Sequence, residues 1–209
     1  RSGSNVYVAW HDTYGGDERD IYVAGSVDGG VTWRAPTRPE TASEGLVDAL
    51  YPSIAAIGDT LHIAWQDNRS GGYDIWYRQS SDAGATWNAS ETRMDRDTQG
   101  LHQSNRVGLS AYVDDTVLVH WEDYRSDSDA VGFNDLYYNY SSDEGITWSA
   151  SDYRVNGNEA GTAYAMTAWA GHSGNAGFFV WNDGRFGSAD IFFNALVLGE
   201  SSTYIPPEE

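Results

Sequence analysis

Three short motifs recur along the chain at a nearly constant interval, and this repetition restricts the fold more than any other feature of the sequence. The motif Trp-x-Asp recurs at intervals of 55, 56 and 60 residues, at Trp10, Trp65, Trp121 and Trp181. An aspartate followed by Ile or Leu occurs at Asp20, Asp74, Asp135 and Asp190. An octad, Ser-x-Asp-x-Gly-x-Thr-Trp, ends at Trp33, Trp87 and Trp148. Seven of the nine tryptophans therefore hold repeated positions, which indicates repeated packing contacts.

The segments around these motifs have the residue pattern of short β-strands. Stretches such as TLHIAW and DIWYRQS are rich in β-branched and aromatic residues, and clusters of Gly, Asp and Asn separate them. No stretch shows apolar residues at sustained helical spacing. Each unit therefore predicts four antiparallel strands, A to D, which in the second unit are Pro52–Ile57, Thr60–Trp65, Asp74–Gln79 and Thr86–Met94. A repeated four-stranded unit of about 40–55 residues is typical of a β-propeller blade.

The octad lies between predicted strands C and D, where it fits a tight turn. Its glycine supplies a positive φ without steric strain. Its aspartate can accept hydrogen bonds from backbone N–H groups of the turn, and its Ser and Thr hydroxyl groups can satisfy others. Its tryptophan is expected to start strand D and to bury its ring between neighbouring blades. We predict a structural and not a catalytic role for the octad residues, which are Ser26, Asp28, Gly30, Thr32, Trp33, Ser80, Asp82, Gly84, Thr86, Trp87, Ser141, Asp143, Gly145, Thr147 and Trp148.

The octad resembles the Asp box, also called the bacterial neuraminidase repeat, of sialidases and sialidase-like propellers. Three complete matches, together with the Trp-x-Asp and Asp-Ile motifs, extend the resemblance over most of the chain. The resemblance implies an all-β, sialidase-like β-propeller of four-stranded antiparallel blades. Asp boxes also occur in other hydrolases and in lectin-like propellers, so the resemblance implies a fold more than an activity.

The repeats predict one propeller domain over residues 1–209, with units of approximately 1–45, 46–100, 101–160 and 161–209. Trp10 lies too close to the first residue for a preceding strand A, and no octad follows Asp190, so about three and a half blades are visible. Propellers close with roughly four to eight blades, which protects their strand edges. Three arrangements stay open: part of a longer ring, for which the resemblance favours six blades, a small ring closed by the tail, or an assembly of two or more chains.

The charge of the chain restricts its partners. There are 31 acidic residues against 12 basic ones, every basic residue is arginine, and the net charge is −19. A field of this sign repels nucleic acid and anionic membranes, so we exclude both as partners. The lysine-free, acidic composition suits a saline habitat. The absence of cysteine excludes disulfides, zinc-thiolate sites and thiol catalysis.

The remaining composition bears on location and cofactors. No apolar run approaches the roughly 20 residues of a membrane span, so we expect no membrane insertion. The first residues, RSGSNVYVAW, show no signal pattern, and we expect an extracellular or cell-surface protein whose signal lies outside this chain. We expect no cofactor, with calcium or another cation as the alternative.

The B–C turns and the D–A loops are expected on one face, which in sialidase-like propellers carries the active site near the central axis. In the B–C turns, Arg69, Arg125 and Arg185 each follow one aspartate and precede another. They resemble the arginine triad with which sialidases hold the substrate carboxylate. The alternative is that each arginine pairs with its own flanking aspartates. The third of these turns is longer and carries Asp127 and Asp129, which are weak candidates for a cation site.

The D–A loops differ from one another, as a binding site requires, and they supply the other candidate ligand-binding residues. Arg106 has no evident local carboxylate partner and is the best candidate for an anion contact. The further candidates are Asp48, Tyr51, His102, Asn105 and Tyr164.

Two functions follow from these observations. Near-uniform repetition without a distinct catalytic constellation favours a non-catalytic propeller module of an extracellular protein that binds a glycan or a protein. A homo-oligomer that closes the ring is one of the arrangements left open above. The alternative is part of an exo-acting glycoside hydrolase of the sialidase type. The Arg-Ile-Pro motif of sialidases is absent, and no nucleophile and base can be paired from the sequence.

Overall fold

The computed structural model describes residues 3–13, 16–127, 132–159, 162, 164–184 and 190–202, and all regular structure in these ranges is β. In chain order the strands are β1 (Val6–Asp12), β2 (Asp20–Ser26), β3 (Ala49–Ile57), β4 (Thr60–Asp67), β5 (Asp74–Ser80), β6 (Thr92–Arg93), β7 (Ser104–Ala111), β8 (Val117–Asp123), β9 (Asp135–Ser141), β10 (Tyr153–Arg154), β11 (Ala165–Ser173), β12 (Ala176–Asp183) and β13 (Asp190–Val197). Nothing in the described ranges forms a helix of the length and hydropathy that a membrane span requires.

The strands form four antiparallel sheets that follow one another along the chain. The second and third sheets are complete, with the orders β3-β4-β5-β6 and β7-β8-β9-β10, while the first contains β1-β2 and the fourth β11-β12-β13. Strands β3, β7 and β11 lie side by side. The backbone N–H of Leu109 donates to Ser53 Oγ, and the Ser110 hydroxyl donates to the carbonyl of Ala170. The all-β class and the four-stranded antiparallel sheets predicted from the sequence are confirmed.

Strands B and C of the second unit match their predicted positions, but A and D differ. Strand A begins at Ala49, because a bulge between Leu50 and Ser53 lets pairing continue past Pro52. The prediction for strand D is wrong in extent, since only Thr92–Arg93 pairs with β5. Between the end of the octad at Trp87 and Thr92, the chain does not pair with β5 as a strand. Trp87 therefore does not start strand D.

The hydrophobic core is divided into layers between successive sheets. Between the second and third sheets, Ile75 and Tyr77 of β5 pack against Leu109 of β7 and are at most 1% exposed. The equivalent residues of β13 in the fourth sheet, Ile191 and Phe193, are 71% and 63% exposed. The outer face of the fourth sheet therefore carries apolar residues of the kind that form the core elsewhere, but no further sheet covers it among the described residues.

The Trp-x-Asp motif is explained, in the second, third and fourth units, by a hydrogen bond within the hairpin. The indole N–H groups of Trp65, Trp121 and Trp181 donate to the aspartate two residues later at 3.0, 2.8 and 3.4 Å. All three rings are at most 3% exposed. The aspartate thus satisfies the one polar atom that burial of the indole would otherwise leave unpaired.

The octads form turns that are held by their own side chains. In the second turn the Ser80 hydroxyl donates to Asp82 at 2.8 Å and accepts from the backbone N–H of Gly84 at 2.9 Å. The backbone N–H and the hydroxyl of Thr86 donate to the Asp82 carboxylate at 2.8 and 2.6 Å. Gly84 has a φ of 77°, which favours glycine. Equivalent bonds occur in the first and third turns.

The three octad tryptophans have different surroundings. The indole of Trp87 donates to the Thr37 hydroxyl of the preceding unit at 3.1 Å, and Trp148 packs edge-on against Tyr77 of the preceding sheet with ring centroids 4.7 Å apart. Trp33 of the first unit is 45% exposed. Two of the three rings therefore lie between neighbouring sheets.

A fourth repeated motif, Arg-x-Glu/Asp/Asn, lies in the outermost segment of the first three units and was missed from the sequence. In the second unit, Nη1 of Arg93 lies 3.2 Å from Asp74, 3.3 Å from Asp95 and 3.2 Å from Asp97. Asp95 accepts the backbone N–H of Ile75 at 3.2 Å. The equivalent acceptors are Glu40 for Ile21 and Asn156 for Leu136. An arginine five or six residues after each octad tryptophan was the available signal.

Candidate active site

The edges of three neighbouring sheets border an open cavity of about 460 Å³. This axial cavity is lined by residues of β3, β7 and β11, namely Tyr51, Pro52, Ser53, Arg106, Val107, Ala168 and Trp169. Its size is within the range of about 300–1,000 Å³ that is usual for small-molecule sites. The cavity lies where strand A begins, at the opposite end of the strands from the octads.

Bulges at one level of strand A direct side chains to this cavity. They lie between Leu50 and Ser53, between Asn105 and Gly108, and in β11 before Trp169. Such irregularities re-aim side chains and are frequent near active sites.

Two residues at these bulges have strained backbone conformations. Tyr51 and Arg106 both have a φ of 50°, which residues other than glycine rarely adopt. Their backbone N–H groups are held by the preceding unit, since Tyr51 donates to His11 Nδ1 at 3.2 Å and Arg106 donates to Gln66 Oε1 at 2.8 Å. Each acceptor is the middle residue of a Trp-x-Asp motif. The motif therefore also holds the backbone of the bulge in the following unit. Backbone strain of this kind collects at ligand sites.

Arg106 forms an ion pair with Glu122 at the cavity. Its Nη1 lies 3.1 and 3.2 Å from the two carboxylate oxygens, and the Glu122 charge raises the pKa of the guanidinium. The side chain of Arg106 is 55% exposed and that of Glu122 only 3%. Glu122 also accepts the Asn134 amide at 3.0 Å. The expectation that Arg106 lacks a carboxylate partner is therefore wrong, because β7 and β8 pair Asn105 with Glu122.

Two aromatic side chains that line this cavity, Tyr51 and Trp169, are exposed, and so is the loop residue Tyr164. Trp169 is 69%, Tyr51 55% and Tyr164 44% exposed. Tyr164 packs edge-on against Phe133 with ring centroids 6.4 Å apart. Trp169 was missed from the sequence, although it is one of two tryptophans outside the repeated positions.

Asp48, His102 and Asn105, the other loop candidates, have partners within the protein. Asp48 receives hydrogen bonds from Arg19 at 2.7 and 2.9 Å and from Tyr73 at 2.7 Å. Burial opposes ionisation of Asp48, but these hydrogen bonds outweigh it and lower its pKa. His102 Nδ1 lies 2.9 Å from Asp97. Asn105 accepts the amide of Gln66 at 3.0 Å.

The arginines of the B–C turns are engaged in the turns themselves. Arg69 contacts Asp67 through Nε at 2.9 Å and also pairs with Glu91, and its guanidinium lies 4.1 Å from the centre of the Trp76 ring. Arg125 lies 2.5 Å from Asp123 and 2.8 Å from Asp152, with its guanidinium 4.3 Å from the Tyr137 ring centre. Both side chains are 17% exposed. Neither guanidinium has the open fork that a substrate carboxylate would need. Arg185 lies outside the described residues.

Of the two candidates for a cation site, Asp127 is among the described residues and has a partner within the protein. Asp127 accepts the backbone N–H of Gly132 at 2.9 Å, and Asp129 lies outside the described residues. Elsewhere, one carboxylate oxygen each of Asp74, Asp95 and Asp97 lies within 4.8 Å of the others. The Arg93 guanidinium contacts all three and supplies the counter-charge, so this cluster does not require a metal.

Comparison with known proteins gives structural but not sequence matches. No protein-family model matches the chain, and no curated protein matches its sequence. An α-L-arabinanase from Penicillium chrysogenum is 18% identical, with a TM-score of 0.58 over 96% of this chain and 61% of that one. An α-L-arabinofuranosidase from Fusarium graminearum is 17% identical, with a TM-score of 0.60 over 97% and 60%. A sialidase from Trypanosoma rangeli is 10% identical, with a TM-score of 0.61 over 96% and 35%.

These likenesses correct the function predicted from the sequence. The chain spans about 60% of the length of the two arabinose-specific enzymes, and all three neighbours are glycosidases. The leading prediction of a non-catalytic binding module is therefore wrong. Uniform repetition describes the scaffold, whereas the cavity is formed by bulge residues that differ from sheet to sheet. The chain has the sialidase-like β-propeller fold.

Proposed function

We propose that the chain forms the larger part of an exo-acting glycoside hydrolase that works outside the cell and has the axial cavity as its active centre. The observation that carries this proposal is that Arg106, which is paired with the buried Glu122, lines one cavity together with the exposed rings of Tyr51 and Trp169. The glycosidase neighbours support it. The octads, read as Asp boxes, support the propeller fold that carries the cavity.

Glu122 is the residue we assign to the chemistry. Glycoside hydrolysis passes through a positively charged, oxocarbenium-like transition state and usually employs two carboxyl groups. Arg106 and Asn134 both donate to the Glu122 side chain, which fixes the orientation of its carboxylate beside Arg106. A fixed, buried carboxylate is suited to stabilise or attack the developing cationic carbon. Arg106, which is half-exposed, is suited to bind substrate hydroxyl groups.

The test is hydrolysis of chromogenic glycosides, with an α-L-arabinofuranoside and a sialoside as the first two substrates. Glu122→Gln keeps the size and most hydrogen bonds but removes the charge, so kcat is expected to fall by at least about 100-fold. Glu18→Gln, at an exposed position on the same face, is the matched control and is expected to retain full activity. Equal turnover by the Glu122 variant and the unmodified protein would refute the assignment. Absence of turnover on every glycoside would refute the function.

A further inference from the structure

We infer that Gln66 is a positioning residue of the proposed active centre, which holds Arg106 from the preceding sheet in the conformation that pairs it with Glu122. This inference rests on the function proposed above and adds a residue to its machinery. It is carried by the two hydrogen bonds of the Gln66 amide, by the strained backbone that they support, and by the place of Gln66 in the repeat.

The Gln66 amide connects two sheets. Gln66 lies on β4 of the second sheet and is 3% exposed. Its Oε1 atom accepts the backbone N–H of Arg106 at 2.8 Å, and its Nε2 atom donates to Oδ1 of Asn105 at 3.0 Å. Both partners belong to β7 of the third sheet. Because a backbone N–H can only donate, the first of these bonds also fixes which way the amide faces.

The two bonds reach β7 at the point where its backbone is strained. Arg106 has a φ of 50°, and the pairing of β7 with β8 is interrupted between Asn105 and Gly108. Arg106 therefore lies outside the regular ladder of these two strands. A residue other than glycine keeps such a conformation only where its surroundings hold it. The Gln66 carbonyl binds the N–H of Arg106 at this point, and it therefore supports a conformation that would otherwise relax.

The backbone conformation of Arg106 decides where its guanidinium lies. Its Nη1 atom is 3.1 Å from Glu122, and 55% of the side chain is exposed at the axial cavity. A return to the extended conformation of a regular strand would redirect this side chain. Glu122 would keep its hydrogen bond from Asn134 at 3.0 Å. Loss of the Gln66 amide is therefore expected to displace Arg106 while Glu122 stays in place.

The repeat supports a positioning role for Gln66. The equivalent residue of the first unit is His11, whose Nδ1 atom accepts the backbone N–H of Tyr51 at 3.2 Å, and Tyr51 also has a φ of 50°. The equivalent residue of the third unit is Glu122. Arg106 thus lies between two consecutive members of this set, with its backbone bound by Gln66 and its side chain by Glu122.

Three variants test the role of the amide. Gln66→Leu keeps a similar volume and removes both polar groups. Gln66→His retains an acceptor, as His11 does in the first unit. Gln79→Leu is the matched control, because Gln79 also connects the second sheet to the third, by donating to the carbonyl of Glu144 at 2.6 Å, but at the octad end of the strands. Urea unfolding of each variant identifies conditions in which it is folded, and kinetics are measured there.

The kinetic readout is hydrolysis of the chromogenic α-L-arabinofuranoside or sialoside, whichever the unmodified protein hydrolyses. In Gln66→Leu, kcat/KM is expected to fall by about tenfold or more, chiefly through KM, because Arg106 is displaced from the substrate. Gln66→His is expected to stay within about threefold of the unmodified protein, and Gln79→Leu to match it. In an Arg106→Ala background, Gln66→Leu is expected to cause no further loss, because it acts through Arg106.

Three kinetic results would overturn the inference. They are full activity of Gln66→Leu, equal activity of Gln66→Leu and Gln66→His, and a loss from Gln66→Leu that is as large without the Arg106 side chain as with it. The last of these would mean that Gln66 only stabilises the fold.

Hydrogen exchange of the Arg106 backbone amide tests the same contact without turnover. Selective labelling with ¹⁵N-arginine restricts the NMR spectrum to the 12 arginines, and the Arg106 signal is identified by its loss in Arg106→Lys. Exchange is expected to be at least about tenfold faster in Gln66→Leu than in the unmodified protein or in Gln79→Leu. Equal exchange rates in all three would refute the contact.

The two proposals fail in different ways. If no glycoside is hydrolysed but the Arg106 amide loses protection in Gln66→Leu, the proposed function falls and Gln66 remains the residue that positions Arg106. If hydrolysis depends on Glu122 but not on Gln66, the proposed function stands and the inference is refuted.

Discussion

Replacement of Asp95 by asparagine is expected to stabilise the protein at neutral and alkaline pH. Asp95 is 1% exposed, and its Oδ2 atom has no hydrogen-bond partner among the described residues. Burial raises its pKa from an ordinary 3.8 to about 7; Asp74 and Asp123 act in the same direction, while Ser104 and Arg93 oppose them. The folded protein therefore holds a proton on Asp95 more tightly than the unfolded chain does.

The size of the effect follows from linkage. The folded-state pKa lies above the unfolded value, so the contribution of Asp95 to stability is fully present below pH 3.8 and is lost as the pH rises to about 7. At 1.36 kcal/mol per pKa unit, the full loss is at most about 4 kcal/mol of unfolding free energy. Asparagine carries no ionisable proton, and the third unit already uses it. Asn156 accepts the backbone N–H of Leu136 at 2.8 Å and donates to Asp135 at 2.6 Å.

Urea unfolding followed by tryptophan fluorescence between pH 4.5 and 8.5 measures this difference. The stability gained by Asp95→Asn is expected to increase up to about pH 7 and then to level off at about 2–4 kcal/mol. Asp97→Asn is the matched control, since Asp97 contacts the same Arg93 and also His102. Loss of these ion pairs should give no gain. A gain from Asp95→Asn that is independent of pH, or a loss of stability at pH 8, would refute this account.

Two further results are expected. Asp82→Ala removes the acceptor of three hydrogen bonds within its octad. In urea titrations it should lower the unfolding free energy by about 1–2 kcal/mol, while sugar binding is unchanged. Unaltered stability would contradict a structural role for the turn. The exposed core face of β13 should associate with a second copy, so light scattering should give a multiple of the chain mass that Phe193→Glu reduces to one chain. A single-chain mass for the unmodified protein would contradict this proposal.

The sequence predicted the hairpins well because their ends are chemically marked. Trp-x-Asp combines a buried indole with its hydrogen-bond acceptor, as at Trp65 and Asp67. The motif therefore marks the end of strand B in the sequence. Strand D carries no such mark, and its ladder is reduced to Thr92–Arg93. Local propensity describes a segment's preference for extended backbone but not whether a neighbouring strand lies within reach.

The cavity was only partly predictable for a different reason. Tyr51 and Arg106 were found because their loops differ from one another. Glu122 was not, because its contact with Arg106 depends on the pairing of β7 with β8 across 16 residues of chain. Trp169 was not predicted because it lies outside the repeated positions, and the repeats were the basis of the sequence analysis.

The octads and the bulges lie at opposite ends of the strands, and this has a consequence for how such proteins acquire new specificities. The Ser, Asp and Thr side chains of each octad form their hydrogen bonds with one another and with the backbone of the same eight residues, so these bonds do not involve the side chains at positions 51, 106 and 169. Substitutions at those three positions can accumulate at one rim while the other rim continues to hold every hairpin in register. Mutational libraries confined to the bulges should therefore yield folded variants with altered ligand preference far more often than libraries of equal size spread over the whole chain.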